Sequence, residues 1–201
     1  MRRLLSPLSR FRASEQGSLS VEAILIFPIL LWAYGAMFIY WDAFKAQNVN
    51  LKATYTVADF ISREVDPITP TDIAGLSDVF AYLIRSNEGN DLRVTVVGYI
   101  VDPADPTGDP IMDFRWSHAV GAYTEHTDLT EIADDLPLLT VGDELIYVES
   151  RMWWDPPLNF DVNFIGLTRR QMSNTVFMAP RFTPQVTWDG NEDGEADDLS
   201  S

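Results

Sequence analysis

Polar and apolar positions divide the chain at its N-terminal third. From Ala23 to Trp41, 19 consecutive residues carry no formal charge. As a helix rising about 1.5 Å per residue they reach roughly 28 Å, enough to cross bilayer hydrocarbon. Residues 42 to 64 contain neither Gly nor Pro and set Leu51, Tyr55, Ala58 and Ile61 near one helical face, so the helix is expected to continue past the membrane. The reading is a stem over 18–64 with its transmembrane span at about 20–41. Pro28 lies inside it, and the missing donor predicts a kink or a local unwinding there.

Pro67 and Pro70 end the stem. Thr69-Pro70-Thr71-Asp72 then supplies a cap, a first-turn proline and an acid suited to a helix N-terminus, which predicts a helix over 70–86. Ile73, Leu76, Val79, Phe80, Leu83 and Ile84 form its apolar stripe. Beyond Asn90 the period shortens to two. Leu92, Val94 and Val96 alternate with Arg93 and Thr95, and Met112, Phe114, Trp116 and His118 alternate with Asp113, Arg115 and Ser117. The turn formers of Asp102 to Pro110 separate these two strands. Leu138 to Val141 and Glu144 to Trp154 predict a further strand pair or one long strand, and Thr175 to Met178 a last one. An α+β head over 65–187 results, with an acidic segment over 188–201.

Charge orients the chain. Arg2, Arg3, Arg10 and Arg12 precede the apolar run, and the net charge is −16. With Glu15 the only acid before Ser18, the part after Gly17 carries −19. The positive-inside bias places the N-terminus in the cytoplasm and the head across the inner membrane, in a periplasm. So acidic a head is a poor partner for nucleic acid. The chain has no cysteine, which excludes disulfides, thiolate catalysis and Cys-based zinc sites.

Glu22 sits at the mouth of the apolar run, where a carboxylate is costly and function is the default suspicion. Together Gly17, Ser18, Val21, Glu22 and Ala23 resemble a type IV prepilin signal, and most closely that of the TadE-like pseudopilins of tight adherence (Flp) pilus systems. The resemblance implies an α+β, pilin-like head on a transmembrane stem. It also implies cleavage by a prepilin peptidase between Gly17 and Ser18, which makes Glu22 the fifth residue of the mature chain. Implied partners are other pilus or pseudopilin subunits, an inner-membrane assembly platform and the lipid bilayer. Cleavage would create an ammonium at Ser18, one turn from Glu22, and the family precedent pairs a new subunit's amine with a neighbour's carboxylate. The large head and the Glu22-Ala23 pair, where major pilins carry Glu-Tyr, point to a minor subunit. Tyr147 to Pro157 and Val176 to Arg181 resemble the closing part of such proteins.

Other chemistry is sparse. His118 falls on a strand and His126 in a polar loop beside Glu125 and Asp128, with no recognised metal spacing. There is no nucleophile elbow, P-loop or dinucleotide fingerprint, so no enzyme is expected. Asp189, Asn191, Asp193 and Glu195 match the opening of a calcium loop, but position twelve is Ser200. The two readings of this segment are a solvated acidic tail and a calcium site. The alternative for the whole chain is an unprocessed single-pass anchor presenting a periplasmic binding module, with calcium as its cofactor.

Overall fold

The computed structural model describes residues 16–85, 90–102, 108–137, 139–157 and 168–197, with side chains from Val21 onward. By internal contact the chain divides into two units, 1–43 with 156–168 and 44–155 with 169–201. A single helix, α1 (Gln16–Arg63), contributes to both. Pro28 lies within α1 and does not interrupt it, so the local unwinding expected there is not found. One lost N–H bond is outweighed by the run of good helix formers on either side.

In the first unit, Val21 to Tyr34 form a bare apolar surface. Ile24 is 71% exposed and Tyr34 74% exposed. This helix is long and apolar enough to span a membrane.

In the second unit, a four-stranded antiparallel sheet has the order β2-β1-β3-β4. Its strands are β1 (Asp91–Ile100), β2 (Ile111–Val120), β3 (Glu144–Trp154) and β4 (Arg170–Met178). The Glu144–Trp154 segment is thus one long strand. Residues 139–143 lead into it as a turn, and Leu138 lies outside the described residues. The last strand begins five residues before the expected Thr175. Arg170 to Asn174 is too polar to signal a strand, but it pairs along the second half of β3. β2 carries a bulge where Val96 faces Trp116 and Val97 faces Phe114. Arg115 falls at that extra position and lies over Gly98, reaching Asp113 at 3.1 Å and Glu144 at 3.5 Å.

Register sorts the sheet into two faces. Val94, Val148 and Val176 share one face, as do Val96 and Ile146, and all five are buried. This face packs on the second half of α1, where Ala53, Val57, Ala58 and Ile61 are at most 2% exposed. Full burial of such aliphatic side chains stabilises the fold by about 1.5–3 kcal/mol each. A polar seam crosses the same contact. The hydroxyls of Thr54 and Ser150 are 2.6 Å apart, Ser150 donates to Asn50 Oδ1 at 3.2 Å, and Asn50 Nδ2 donates to the carbonyl of Met172 at 3.3 Å. All three side chains are closed to solvent.

Helix α2 (Pro70–Ile84) packs beside β2. Its capping box is complete, with Thr69 Oγ1 accepting the N–H of Asp72 and Asp72 Oδ2 accepting the N–H of Thr69. Arg85 ends it in the left-handed region at φ 55°; residue 86, the expected end, lies outside the described residues.

The other face of the sheet is covered by residues 121–137 and 139–143. Ile132 and Leu136 of this segment pack on Val97, Leu145 and Tyr147, around a short 3-10 turn at Ala133–Asp135.

Candidate functional site

The residues of the expected processing site lie on one unbroken helix. Gly17, Ser18 and Glu22 all belong to α1, so backbone positions 18 and 22 stand one turn apart. Glu22 is exposed, and Val21, Ile24 and Leu25 around it are 59%, 71% and 64% exposed. A carboxylate is therefore presented to the surroundings at the start of an apolar surface of membrane length.

The acidic C-terminal segment, over its described residues 188–197, is stitched to the head. Trp188 stacks on Trp116 at 4.7 Å. Ile68 and Trp188 form a parallel bridge through Ile68 N–H to Thr187 O and Asp189 N–H to Ile68 O, both 2.9 Å. One residue of the approach, Val186, is held through both of its backbone polar groups. Val186 N–H donates to Glu144 Oε2 at 2.8 Å, and the Trp116 indole donates to Val186 O at 2.9 Å. Burial pushes the Glu144 carboxyl above the usual range, against the opposing pull of the Val186 N–H and Arg115.

Within this segment Asp189 is 1% exposed, and its carboxylate accepts the N–H groups of Asp193 at 3.2 Å and Gly194 at 2.8 Å. Asp193 Oδ1 accepts the N–H of Glu195, and Asn191 donates to Asp197. Glu192, at φ 59°, accepts both the N–H and the hydroxyl of Thr71 in the first turn of α2, where a carboxylate is favoured. Among the described residues no group of three or more His, Asp or Glu side chains is arranged to hold a metal ion.

A constellation missed by sequence reasoning lies under the 121–143 segment. His126 is buried, with Nδ1 2.9 Å from Thr95 Oγ1 and its backbone N–H donating to Ser117 Oγ. Nε2 has no hydrogen-bond partner and lies 3.7 Å from Glu131 Oε2 and 3.9 Å from Glu149 Oε2. Burial, with Arg93 next in weight, pulls the imidazole below its ordinary pKa, while Glu149, Glu131 and Asp128 pull the other way. Arg93 Nε meets Glu149 Oε2 at 2.6 Å, and the Arg93 and Arg151 guanidiniums lie over the Tyr123 ring at 4.7 and 3.6 Å. Thr95 and Ser117 were legible as alternating strand residues, but nothing local says that a loop histidine closes onto them.

No protein-family model, curated protein or solved structure matches this chain. Its functional reading therefore rests on the helix, the head and their residues.

Proposed function

We propose that this chain is a minor pseudopilin taking part in assembly of a tight adherence (Flp) pilus. The observation that carries the reading is the single helix Gln16–Arg63. It bears Gly17, Ser18 and Glu22 at one end, an apolar surface of membrane length after them, and the head-packing residues Asn50, Thr54 and Ile61 at the other. In this reading a prepilin peptidase cuts after Gly17 on the cytoplasmic side, where a residue without a side chain leaves the scissile bond accessible. The new Ser18 ammonium and a Glu22 carboxylate neutralise each other between neighbouring subunits. Such a pair near the bilayer sets register more than stability, because desolvation offsets the Coulomb attraction.

The chain then acts by docking through its stem, with no turnover of its own. It sits in the inner membrane with the N-terminus cytoplasmic and the pilin-like α+β head in the periplasm, and it joins the fibre or its assembly platform. The test is the N-terminus of the protein made beside its cognate peptidase. A start at Ser18 supports the reading. Retention of the residues through Gly17 favours an unprocessed anchor presenting a binding module.

Calcium is a separate proposal for the 189–195 loop, resting on the oxygen-bearing side chains that the sequence spaces at 189, 191, 193 and 195; to bind the ion, the Asp189 carboxylate would have to release the N–H groups of Asp193 and Gly194. Millimolar calcium that raises the Tm of the wild type but not of Asp189→Ala supports it, and an unchanged wild-type Tm retires it.

A further inference from the structure

Within the second unit, α1 and β4 run the same way. Gln47 Nε2 donates to the carbonyl of Ser173 at 3.3 Å and Asn50 Nδ2 to that of Met172. Further along the same helix, Ser62 O accepts the N–H of Arg181 at 2.8 Å, and Asp59 meets the Arg181 guanidinium at 3.3 Å. Because Trp153 pairs with Gln171 and Trp154 with Arg170, the end of β3 and the start of β4 lie at the end of the head by which α1 enters it. That end also holds Phe44 and Lys45.

Its chemistry differs from that of the rest of the head. The part after Gly17 carries −19, and Arg63, Arg93, Arg115, Arg151 and Arg181 each already meet a carboxylate of the head. At the entry end Lys45, Arg169 and Arg170 are exposed, with Phe44 68% and Trp153 37% exposed. The Arg169 guanidinium lies 5.1 Å from the centre of the Trp153 ring and 3.6 Å from Asp155 Oδ1. Asp155 is the acid beside these cations, and Asp42 precedes Phe44 in the sequence. An exposed indole under a guanidinium, with further cations at the same end, suits a bilayer interface, where the ring lies at headgroup level and the cation meets phosphate.

Chain connectivity says what lies opposite. Trp41 closes the span expected at about 20–41, and the three residues from Trp41 to Phe44 reach at most about 11 Å however the chain turns between them. Phe44 and Lys45 thus stay close to headgroup depth. We propose that the entry end of the head docks on the phosphate layer of the membrane that α1 spans, with Lys45, Arg169 and Arg170 meeting anionic lipid headgroups and Phe44 and Trp153 lying at the boundary with the acyl chains. The rest of the head is too acidic to be drawn to such a surface, so this one end fixes how the head stands on the bilayer. The proposal rests on the transmembrane reading of α1 and holds whether or not the leader is cut.

The test uses the full chain in lipid nanodiscs. The chain has no cysteine, so Gln171→Cys, Glu64→Cys and Leu30→Cys each carry a single NBD fluorophore, at the entry end, at the opposite end of the head and in the span. The quencher is a nitroxide on the headgroup of a minor lipid for the first two and bromine on the acyl chains for the third. In phosphatidylcholine with about 30% phosphatidylglycerol, headgroup quenching at position 171 is expected to exceed that at position 64 and to rise at least about twofold over phosphatidylcholine alone. The rise should disappear near about 0.5 M salt and in the Lys45→Gln, Arg170→Gln double variant. Both cations are exposed, so their replacement leaves the fold in place. Quenching at 171 that only matches that at 64, or that ignores lipid charge, salt and the double variant, overturns the proposal. Self-association in phosphatidylcholine discs that the double variant abolishes, without dependence on lipid charge, overturns it in favour of an acidic protein partner. A probe at position 30 that acyl bromine leaves unquenched overturns the span reading, and this proposal with it.

Discussion

Thr54 and Ser150 meet hydroxyl to hydroxyl at 2.6 Å, across the contact between the stem helix and the central strand β3. A hydrogen bond in this place specifies how the helix seats on the sheet, because a helix slipped by one residue would bury both groups unpaired. Ser150→Ala is expected to cost about 1–3 kcal/mol, since it also strips Asn50 Oδ1 of its donor. Denaturant unfolding of Ser150→Ala, Thr54→Val and the double variant checks this. A coupling energy of at least about 0.5 kcal/mol is expected, and strict additivity would show that the two hydroxyls do not act as a pair.

Gly121 turns the chain from β2 into the covering segment at φ 91°, and a Cβ there would clash with Asp91 Oδ1. That same oxygen accepts the N–H of Ala122. Gly121→Ala is therefore expected to cost about 1–3 kcal/mol from the backbone conformation alone, with loss of the Asp91 contact added. A Tm equal to wild type would contradict this account of the turn.

Acid weakens the covering segment through His126. The folded protein holds this imidazole below its ordinary pKa of 6.5, so the unfolded chain takes up the proton first as pH falls. The stability it contributes is complete above that value, is lost as pH falls through 6.5 toward the folded value, and changes no further below it. Glu144 runs the other way, because a raised carboxyl pKa adds stability as pH falls through its folded value. His126→Gln isolates the first effect. The difference in unfolding free energy between wild type and variant is expected to narrow from pH 7.5 to 5.5, and a constant difference would show that folding does not lower the imidazole's pKa.

Local signals carried much of the architecture. Thr69, Pro70 and Asp72 announced α2 because a capping box is made within four residues, and Leu92, Val94 and Val96 announced β1 because one buried face imposes a period of two. The groups that were not legible depend on chain brought from far away. Asp189 and Glu192 read as members of a solvated acidic run, yet Trp188 stacks on Trp116 and Glu192 caps Thr71. His126 read as a loop residue, and its burial is decided by Thr95 and Ser117 on two strands. Nothing in the stem's own sequence singles out Asn50 and Thr54, since their partners on β3 and β4 lie about a hundred residues on. Composition predicts how much a segment will bury only when its partner is known.

Glu22 is expected to serve assembly and not insertion. Glu22→Ala removes the carboxylate while leaving the apolar span and Gly17 intact, so membrane insertion and N-terminal processing should stay near wild type while surface piliation falls at least about tenfold. Immunoblots of membrane fractions and fibre counts by electron microscopy separate the two outcomes. Normal piliation in this variant would reduce Glu22 to a headgroup-level acid.

Intact-mass spectrometry of the membrane-extracted protein, produced beside an active cognate prepilin peptidase, tests the central claim most directly. A mass that places Ser18 at the amino terminus, and its loss in Gly17→Leu, is the expected result. A wild-type chain that keeps Gly17 and the residues before it would contradict the pseudopilin assignment.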